Sequence, residues 1–324
     1  MEVTHMDWEH RNVLITGATG LLGGWLAKEL VRKGANVIAL VRDGVPASPF
    51  FSEGIEKRVT CVKGSLEDYF LVERALNEYE VETCFHLGAQ TIVGTANRSP
   101  ISTFESNIRG TWNVLEAARN SKLLKALVVA SSDKAYGKGK LPYTEDSPLE
   151  AKHPYDVSKA CGDMLARSYF ETYGLPVGIT RCGNLFGGGD LNFNRIVPGT
   201  IRSLILGERP VIRSDGKMVR DYIYVEDIVN ANLLLARTLM GGRERGEAFN
   251  FSWEAPLSVI EIVGEISKVM KSGLKPQILC NACNEIPEQY LSSEKARKRL
   301  GWVKEWGMES GLEKTVEYYK RMMK

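Results

Sequence analysis

A glycine-rich turn near the start of the chain limits the fold more than any other feature of the sequence. Residues 12–16 predict a β-strand, residues 21–33 predict an amphipathic helix, and the segment 17–23 (GATGLLG) joins the two. Glycines at such a turn let the backbone approach a pyrophosphate, and the helix N-terminus directs its N–H groups at the phosphates. A turn that only packs two elements together is the alternative. A second predicted strand, at residues 36–41, favours dinucleotide binding.

The first two thirds of the chain alternate short apolar runs with helical patterns. Strands are predicted at residues 12–16, 36–41, 59–63, 83–87, 126–131 and 176–181, and helices at residues 21–33, 66–79, 107–121 and 155–173. This alternation predicts an α/β fold with a Rossmann-type, doubly wound parallel sheet. The pattern loosens after residue 183. We therefore predict a dinucleotide-binding domain at residues 1–182 and a smaller C-terminal substrate-binding lobe at residues 183–324, with some segments returning to the first domain.

The charge balance excludes two classes of partner. The 324 residues include 42 Lys and Arg against 40 Asp and Glu, so no overall field attracts nucleic acid or an anionic membrane. No stretch approaches the roughly 18 apolar residues that span a bilayer. Residues 1–12 include charged side chains and contain no apolar run. We predict a cytoplasmic protein that holds any anionic ligand through local groups.

The cysteines do not form a pattern typical of a disulfide framework or a zinc site. Of the six, Cys280 and Cys283 make one CxxC motif, and the four histidines are scattered. A structural zinc site needs two more ligands at suitable spacing. No metal site is therefore predicted.

A Tyr-x-x-x-Lys motif supplies the first candidate catalytic groups. Tyr155 and Lys159 are one helical turn apart and share a helix face. A nearby cation lowers the pKa of a tyrosine, which would allow the phenol to act as a base. The same motif also occurs on solvated helix faces. Its position after the predicted strand that ends near Ser131 and Ser132 strengthens the catalytic interpretation.

With its GxxGxxG turn and its Ser and YxxxK residues, the chain resembles the extended short-chain dehydrogenase/reductase superfamily. The resemblance implies that Tyr155 removes a proton from a sugar hydroxyl while the adjacent carbon gives hydride to NAD(P)+, and that Ser132 orients the same oxygen. Arg42 would favour NADP by pairing with a 2′-phosphate, and Asp43 would still reach a ribose hydroxyl, so the choice stays open. The cofactor-binding residues implied are Gly17, Thr19, Gly20, Leu21, Leu22, Gly23, Arg42, Asp43, Leu66, Leu87, Ala89, Tyr155 and Lys159.

The pair Asp133-Lys134, directly after Ser132, resembles the CDP-glucose 4,6-dehydratases within this superfamily, as does the segment 183–190 (GNLFGGGD). The resemblance implies that Asp133 protonates the departing C6 hydroxyl and that Lys134 removes the C5 proton. An acid beside a base suits an elimination, because a C4 ketone acidifies the C5–H bond. An ion pair that only shapes the loop is the alternative for these two residues.

A sugar nucleotide carries a diphosphate, which a near-neutral protein has to bind with placed arginines. Arg220 lies in a RDYxYVxD pattern that the superfamily uses for nucleotide phosphates, although the CDP-glucose dehydratases usually diverge there. Ser65 stands where an aspartate that contacts adenine is commonest, and Asn107 resembles a structural asparagine. The substrate-binding residues implied are Gln90, Arg98, Asn184, Arg195, Arg213, Arg220 and Tyr290.

The leading hypothesis is thus a sugar-nucleotide 4,6-dehydratase, with CDP-glucose as the expected substrate. A sugar-nucleotide 4-epimerase is the first alternative, and a dinucleotide-sensing protein without turnover is the second. The resemblance also implies a homodimer formed through the helices predicted at residues 107–121 and 155–173.

Overall fold

A seven-stranded parallel sheet forms the centre of the protein. The computed structural model describes residues 7–280 and 286–324, and the strand order in the sheet is β3-β2-β1-β4-β5-β6-β11. All six strand pairs are parallel. The strands are β1 (Asn12–Thr16), β2 (Asn36–Val41), β3 (Thr60–Lys63), β4 (Thr83–His86), β5 (Ala126–Ala130), β6 (Val177–Cys182), β7 (Asn184–Phe186), β8 (Val211–Ile212), β9 (Val219–Arg220), β10 (Tyr222–Tyr224), β11 (Ala248–Phe251), β12 (Leu257–Ser258), β13 (Gln277–Ile278) and β14 (Glu288–Gln289).

Helices cover both faces of this sheet, so the predicted Rossmann-type α/β fold is confirmed. The α-helices are α1 (Leu21–Arg32), α2 (Pro49–Ser52), α3 (Tyr69–Glu78), α4 (Val93–Arg98), α5 (Pro100–Phe104), α6 (Gly110–Asn120), α7 (Pro154–Tyr173), α8 (Ile196–Ile205), α9 (Val225–Met240), α10 (Val259–Val269) and α11 (Met308–Met322). Short 3-10 turns span Ile55–Arg58 and Asp133–Tyr136, and π-helical turns span Glu105–Arg109 and Ala296–Leu300.

Alternating side chains of the central strands divide the apolar core into two layers. In β1, Val13 and Ile15 belong to one buried cluster, and Leu14 belongs to the other. Side chains of a strand alternate between its two faces, which explains the division. The strands are apolar on both faces because helices cover both.

Two predicted helices begin elsewhere than the sequence pattern indicates. The helix predicted from residue 66 begins at Tyr69, because the Asp68 side chain caps it by accepting from the Leu71 N–H at 3.1 Å. The helix predicted from residue 107 begins earlier, since α5 and a π-helical turn lead directly into α6.

The second half of the chain contributes to the central sheet as well as to three small sheets. Strand β11 pairs with β6 at the sheet edge, and α9 packs against α1, β5 and β6. The small sheets are β7-β10, β12-β9-β14 and β8-β13. Within residues 7–280 and 286–324, no helix combines the length and apolarity required to cross a membrane.

Candidate active site

A cleft of about 1200 Å³ opens at the carboxyl ends of the parallel strands. Ligands of open α/β sheets bind at this edge. The cleft exceeds the roughly 300–1,000 Å³ usual for one drug-sized ligand. It extends from the turn after β1 to Arg213, which follows β8, and to Arg220 of β9. There is therefore room for two ligands placed end to end.

The turn after β1 requires glycine at two positions. Gly17 has a φ of +74°, and a Cβ added there would lie 2.7 Å from the Gly88 nitrogen. A Cβ at Gly23 would lie 2.1 Å from the Gly17 carbonyl oxygen. The N-cap of α1 is Gly20, which brings no side-chain acceptor to the helix N–H groups. This bare, closely packed helix start fits a phosphate or pyrophosphate group.

The other predicted cofactor residues also line the cleft. Arg42, Asp43, Leu66, Leu87 and Ala89 follow the ends of β2, β3 and β4, whereas Tyr155 and Lys159 lie on α7. Arg42 pairs with Asp43 at 2.7 Å between Nε and Oδ2. The predicted cofactor residues found in the lining are Gly17, Thr19, Gly20, Leu21, Leu22, Gly23, Arg42, Asp43, Leu66, Leu87, Ala89, Tyr155 and Lys159. Their convergence fits an extended dinucleotide.

An acidic side chain that the sequence did not single out lies at this end of the cleft. Glu67 accepts hydrogen bonds from the hydroxyls of Ser65 and Ser106, the second at 2.7 Å. All three residues line the cleft. Ser65, which replaces the aspartate usual after this strand, therefore holds a carboxylate two residues further along.

Ser132, Tyr155 and Lys159 meet in the middle of the cleft. Burial raises the pKa of Tyr155 to about 12, although Ser132 and the charge of Arg195 act in the opposite direction. Lys159 donates from Nζ to the Ala130 carbonyl at 2.7 Å, and burial lowers its pKa to about 8. The pKa of this phenol is thus raised and not lowered as the sequence led us to expect, because desolvation of the phenolate outweighs the nearby charges.

Asp133 and Lys134 follow β5 in the 3-10 turn and face the same cleft. Asp133 is buried and accepts from the Ser132 hydroxyl at 3.0 Å, while its Oδ2 has no hydrogen-bond partner among the described residues. Lys134 donates from Nζ to Oε1 of Gln289. A buried carboxyl oxygen without a partner costs free energy, which suggests that a ligand completes its bonding.

Two further titratable residues at the start of α7 were not predicted. His153 and Asp156 line the cleft beside Tyr155. Burial raises the pKa of Asp156, and the positive charge of Lys134 acts in the opposite direction. Their position next to the YxxxK tyrosine is the signal that the sequence offers.

The predicted substrate residues divide into two groups. Arg98, Asn184, Arg195, Arg213 and Arg220 line the cleft. Arg195 pairs with Asp190 at 3.0 Å, and Arg220 donates to the Val219 carbonyl at 2.8 Å. Several arginines thus surround the end of the cleft away from the glycine turn.

Gln90 and Tyr290, by contrast, are not among the residues that line the cleft. Gln90 bonds through its main chain to the Asn107 side chain, and its Oε1 accepts from the Ile92 N–H at 3.0 Å. The Tyr290 carbonyl accepts from the Tyr143 N–H at 3.0 Å. Asn107 also donates to the Ser158 hydroxyl at 2.9 Å, as expected for an asparagine that joins neighbouring elements.

Metal-ligating side chains do not cluster in the described parts of the chain: no group of three or more His, Cys, Asp or Glu there is arranged to hold an ion. Cys283 of the CxxC motif lies outside the described residues.

Comparison with known proteins gives one family match. The model of the NAD dependent epimerase/dehydratase family matches residues 13–251. The CDP-glucose 4,6-dehydratase of Salmonella typhimurium is 27% identical, with 97% of this chain and 91% of that protein covered. The dTDP-glucose 4,6-dehydratase of Xanthomonas campestris is 29% identical, with 94% of this chain and 92% of that protein covered.

Solved structures of both dehydratases and epimerases share the fold. The dTDP-glucose 4,6-dehydratase of Streptomyces venezuelae, solved with NAD bound, has a TM-score of 0.85 at 27% identity, and 96% of this chain and 97% of that chain are covered. The UDP-glucose 4-epimerase of Thermotoga maritima, solved with UDP-glucose, has a TM-score of 0.87 at 27% identity, and 97% of this chain and 100% of that chain are covered.

Proposed function

The chain belongs to the NAD-dependent epimerase/dehydratase family, and we propose that it is a sugar-nucleotide 4,6-dehydratase that converts CDP-glucose to CDP-4-keto-6-deoxyglucose. The observation that carries the proposal is the buried carboxyl of Asp133 beside Lys134, in the same cleft as Ser132 and Tyr155. An acid and an amine at this place suit loss of water from the sugar, which an epimerase does not need.

The residues around Tyr155 serve the first step, oxidation at C4. A bound nicotinamide dinucleotide supplies the acceptor, and later the donor, of the hydride. Tyr155 takes the proton of the C4 hydroxyl, and Ser132 orients that oxygen. A positively charged group of the bound dinucleotide next to the phenol would lower the pKa of Tyr155 from about 12 toward neutral pH, because a positive charge favours the phenolate.

Asp133 and Lys134 serve the second step, elimination across C5 and C6. The Lys134 amine takes the C5 proton, and the electron pair of that C–H bond forms the C5–C6 double bond. The C6–O bond breaks, and the hydroxyl leaves as water with the proton of Asp133. Hydride returns to C6, and C5 takes a proton back.

The cofactor site supports NADP+ over NAD+ in this proposal. Arg42 follows β2, where it can pair with a 2′-phosphate, and Asp43 can accept from a ribose hydroxyl. The two side chains already pair with each other and are both more than half exposed, so they can reorient around a ligand. Titration of the protein with each dinucleotide, before and after Arg42→Ala, tests the preference, since only NADP+ affinity should fall.

The arginines at the far end of the cleft serve the diphosphate of the substrate. Arg195, Arg213 and Arg220 provide forked donors that match phosphate oxygens. Similarity to the Salmonella CDP-glucose 4,6-dehydratase supports cytidine as the base. The match to dTDP-glucose enzymes makes dTDP-glucose the second substrate to try.

A panel of sugar nucleotides tests the reaction. The protein with NAD+ or NADP+ should convert CDP-glucose, in preference to the UDP, dTDP and GDP sugars, into a product lighter by one water. Asp133→Asn should stop the loss of water but still allow oxidation at C4, seen as reduced cofactor absorbing near 340 nm. Asp146→Asn, at an exposed position, is the matched control and should behave as wild type.

A 4-epimerase is the second candidate, because the Thermotoga UDP-glucose 4-epimerase shares the fold as fully as the dehydratases do. Sugar nucleotides of unchanged mass and inverted C4 configuration would replace the dehydratase proposal with this one. Bound cofactor without any turnover would instead indicate a dinucleotide sensor.

A homodimer through α6 and α7 belongs to the same proposal. Trp112 on α6 and Met164 on α7 are 44% and 55% exposed, which is high for large apolar side chains. Light scattering should give twice the mass of the chain for wild type and a lower mass for Met164→Glu. A cytoplasmic location stays a prediction of the sequence.

A further inference from the structure

Gln289 connects the C-terminal lobe to the side chain of Lys134. It is fully buried, lies in β14 and accepts a hydrogen bond through Oε1 from the Lys134 Nζ. In the three-stranded small sheet it stands in register with Arg220 of β9. The two partners are 155 residues apart in the chain. This long-range contact therefore connects the Lys134 side chain, in the first half of the chain, to a strand of the C-terminal lobe.

The backbone that directly follows Gln289 is hydrogen-bonded to two other segments of the chain. The Tyr290 carbonyl and the Ser292 N–H bond to the main chain of Tyr143, at 3.0 and 2.8 Å. The Leu291 N–H donates to Oδ2 of Asp221 at 3.1 Å. Because these bonds fix the backbone, the Gln289 amide keeps a constant position as the hydrogen-bond acceptor of Lys134. Side chains held in this way place reacting groups accurately.

The chemistry of an amide suits a lysine that gains and loses a proton. Lysine has N–H donors in both its charged and its neutral form, so the amide oxygen can accept from either. A carboxylate at the same place would favour the ammonium by opposite charge and would raise the pKa of the lysine. A neutral acceptor therefore holds Nζ in place without opposing proton loss.

We propose that Gln289 is a positioning residue for proton removal at C5, which holds the Lys134 amine at the sugar through a neutral hydrogen bond. The proposal rests on the dehydratase function given above. The groups around the lysine are Asp133 in its own turn, Asp156 and His153 at the start of α7, and Tyr143 and Arg220 beside Gln289. Among them, Tyr143 and Arg220 lie next to Gln289 and are directly affected by its substitution, whereas Asp133, Asp156 and His153 belong to other elements.

Two substitutions separate charge from position. Gln289→Glu keeps the length and adds a negative charge, so it should lower kcat for CDP-glucose at pH 7 by about 10- to 100-fold. Its pH profile should move to higher pH, because the lysine loses its proton later. Gln289→Met keeps the size and removes the acceptor, so kcat should fall by up to about 100-fold with the pH profile unmoved. KM should stay within about twofold for Gln289→Met, because Gln289 does not bind the nucleotide, and should rise for Gln289→Glu, whose carboxylate stands in register with Arg220.

A direct measurement of the C5 step completes the test. In D2O the product of wild type should carry deuterium at C5. In a single turnover, Gln289→Glu should accumulate reduced cofactor, seen as absorbance near 340 nm, because oxidation at C4 proceeds while removal of the C5 proton is slow. Glu288→Gln, at the exposed neighbouring position of the same strand, is the matched control and should leave kcat, KM and pH profile unchanged.

A wild-type pH profile for Gln289→Glu, together with wild-type kcat and single-turnover traces for both Gln289 variants, would overturn the inference. Gln289→Asn, which keeps an amide one methylene shorter, should recover part of the rate lost in Gln289→Met, and it replaces Gln289→Met as the test of position if that variant fails to fold. If wild type itself releases no water from any sugar nucleotide, the proposed function fails. If wild type dehydrates and the Gln289 variants match it, only the positioning role fails.

Discussion

Replacement of Lys159 by methionine should stabilise the protein while abolishing its activity. Burial lowers the pKa of this ammonium from 10.5 to about 8, so a charged Lys159 at pH 7 costs folding free energy. At about 1.4 kcal/mol for each tenfold change, the difference corresponds to roughly 3 kcal/mol. Loss of the hydrogen bond to the Ala130 carbonyl offsets about 1 kcal/mol of this. The free energy of unfolding should therefore rise by about 2 kcal/mol.

The gain in stability from Lys159→Met should decrease as the pH rises. Between about pH 8 and pH 10.5 the unfolded chain binds more protons at Lys159 than the folded chain does, so the stability of wild type rises across that window. Methionine does not titrate. The advantage of Lys159→Met is therefore complete below about pH 8, falls to zero before pH 10.5, and leaves the variant about 1 kcal/mol less stable at pH 10.5 because of the lost hydrogen bond.

Urea denaturation of the cofactor-free proteins, followed by tryptophan fluorescence at pH values from 7 to 10.5, measures this difference. Other titrating groups are shared by the two proteins and cancel in the comparison. Lys122→Met, at an exposed position, controls for the loss of a lysine and should show no such trend. A difference between wild type and Lys159→Met that is constant with pH, or a variant less stable at pH 7, would refute the reasoning.

Three further changes have defined outcomes. Gly23→Ala should weaken dinucleotide binding at least tenfold by titration, since its Cβ would lie 2.1 Å from the Gly17 carbonyl oxygen. Tyr155→Phe, which keeps the ring, should still bind cofactor and lose about 10²- to 10⁴-fold in kcat, and an unaffected rate would contradict its role as the base. Asp163→Asn should destabilise the fold by about 3–5 kcal/mol in denaturant melts, because it leaves the Arg181 charge buried without the carboxylate that accepts two hydrogen bonds at 2.8 Å.

The sequence predicted the bounds of a strand correctly where a single local pattern determines both of its ends. Strands β1 and β2 begin and end at the predicted residues, since each is a single apolar run bounded by polar or glycine residues. Strand β11 was not predicted as the seventh strand. Its place is set by pairing with β6, which is distant in sequence, and not by a local pattern of its own.

The site was predictable as far as it depends on strand ends. Ser132 and the glycine turn follow β5 and β1, and parallel strands bring such positions to one edge. Gln289 and Glu67 were missed because their contacts depend on how loops and small sheets return to that edge. The pKa of Tyr155 was misjudged for the same reason, since burial depends on the complete packing and not on the spacing to Lys159.

The junction between β10 and α9 determines how the cleft can move. Tyr224 ends a strand of a small sheet, and Val225 begins a helix that packs against β5 and β6. No loop residue separates the strand from the helix, so this junction offers no flexible linker. The end of β10 and the start of α9 are therefore expected to move together. We expect ligands to enter through rearrangement of the loops and side chains that line the cleft. The packing of the core sets the width of the cleft itself.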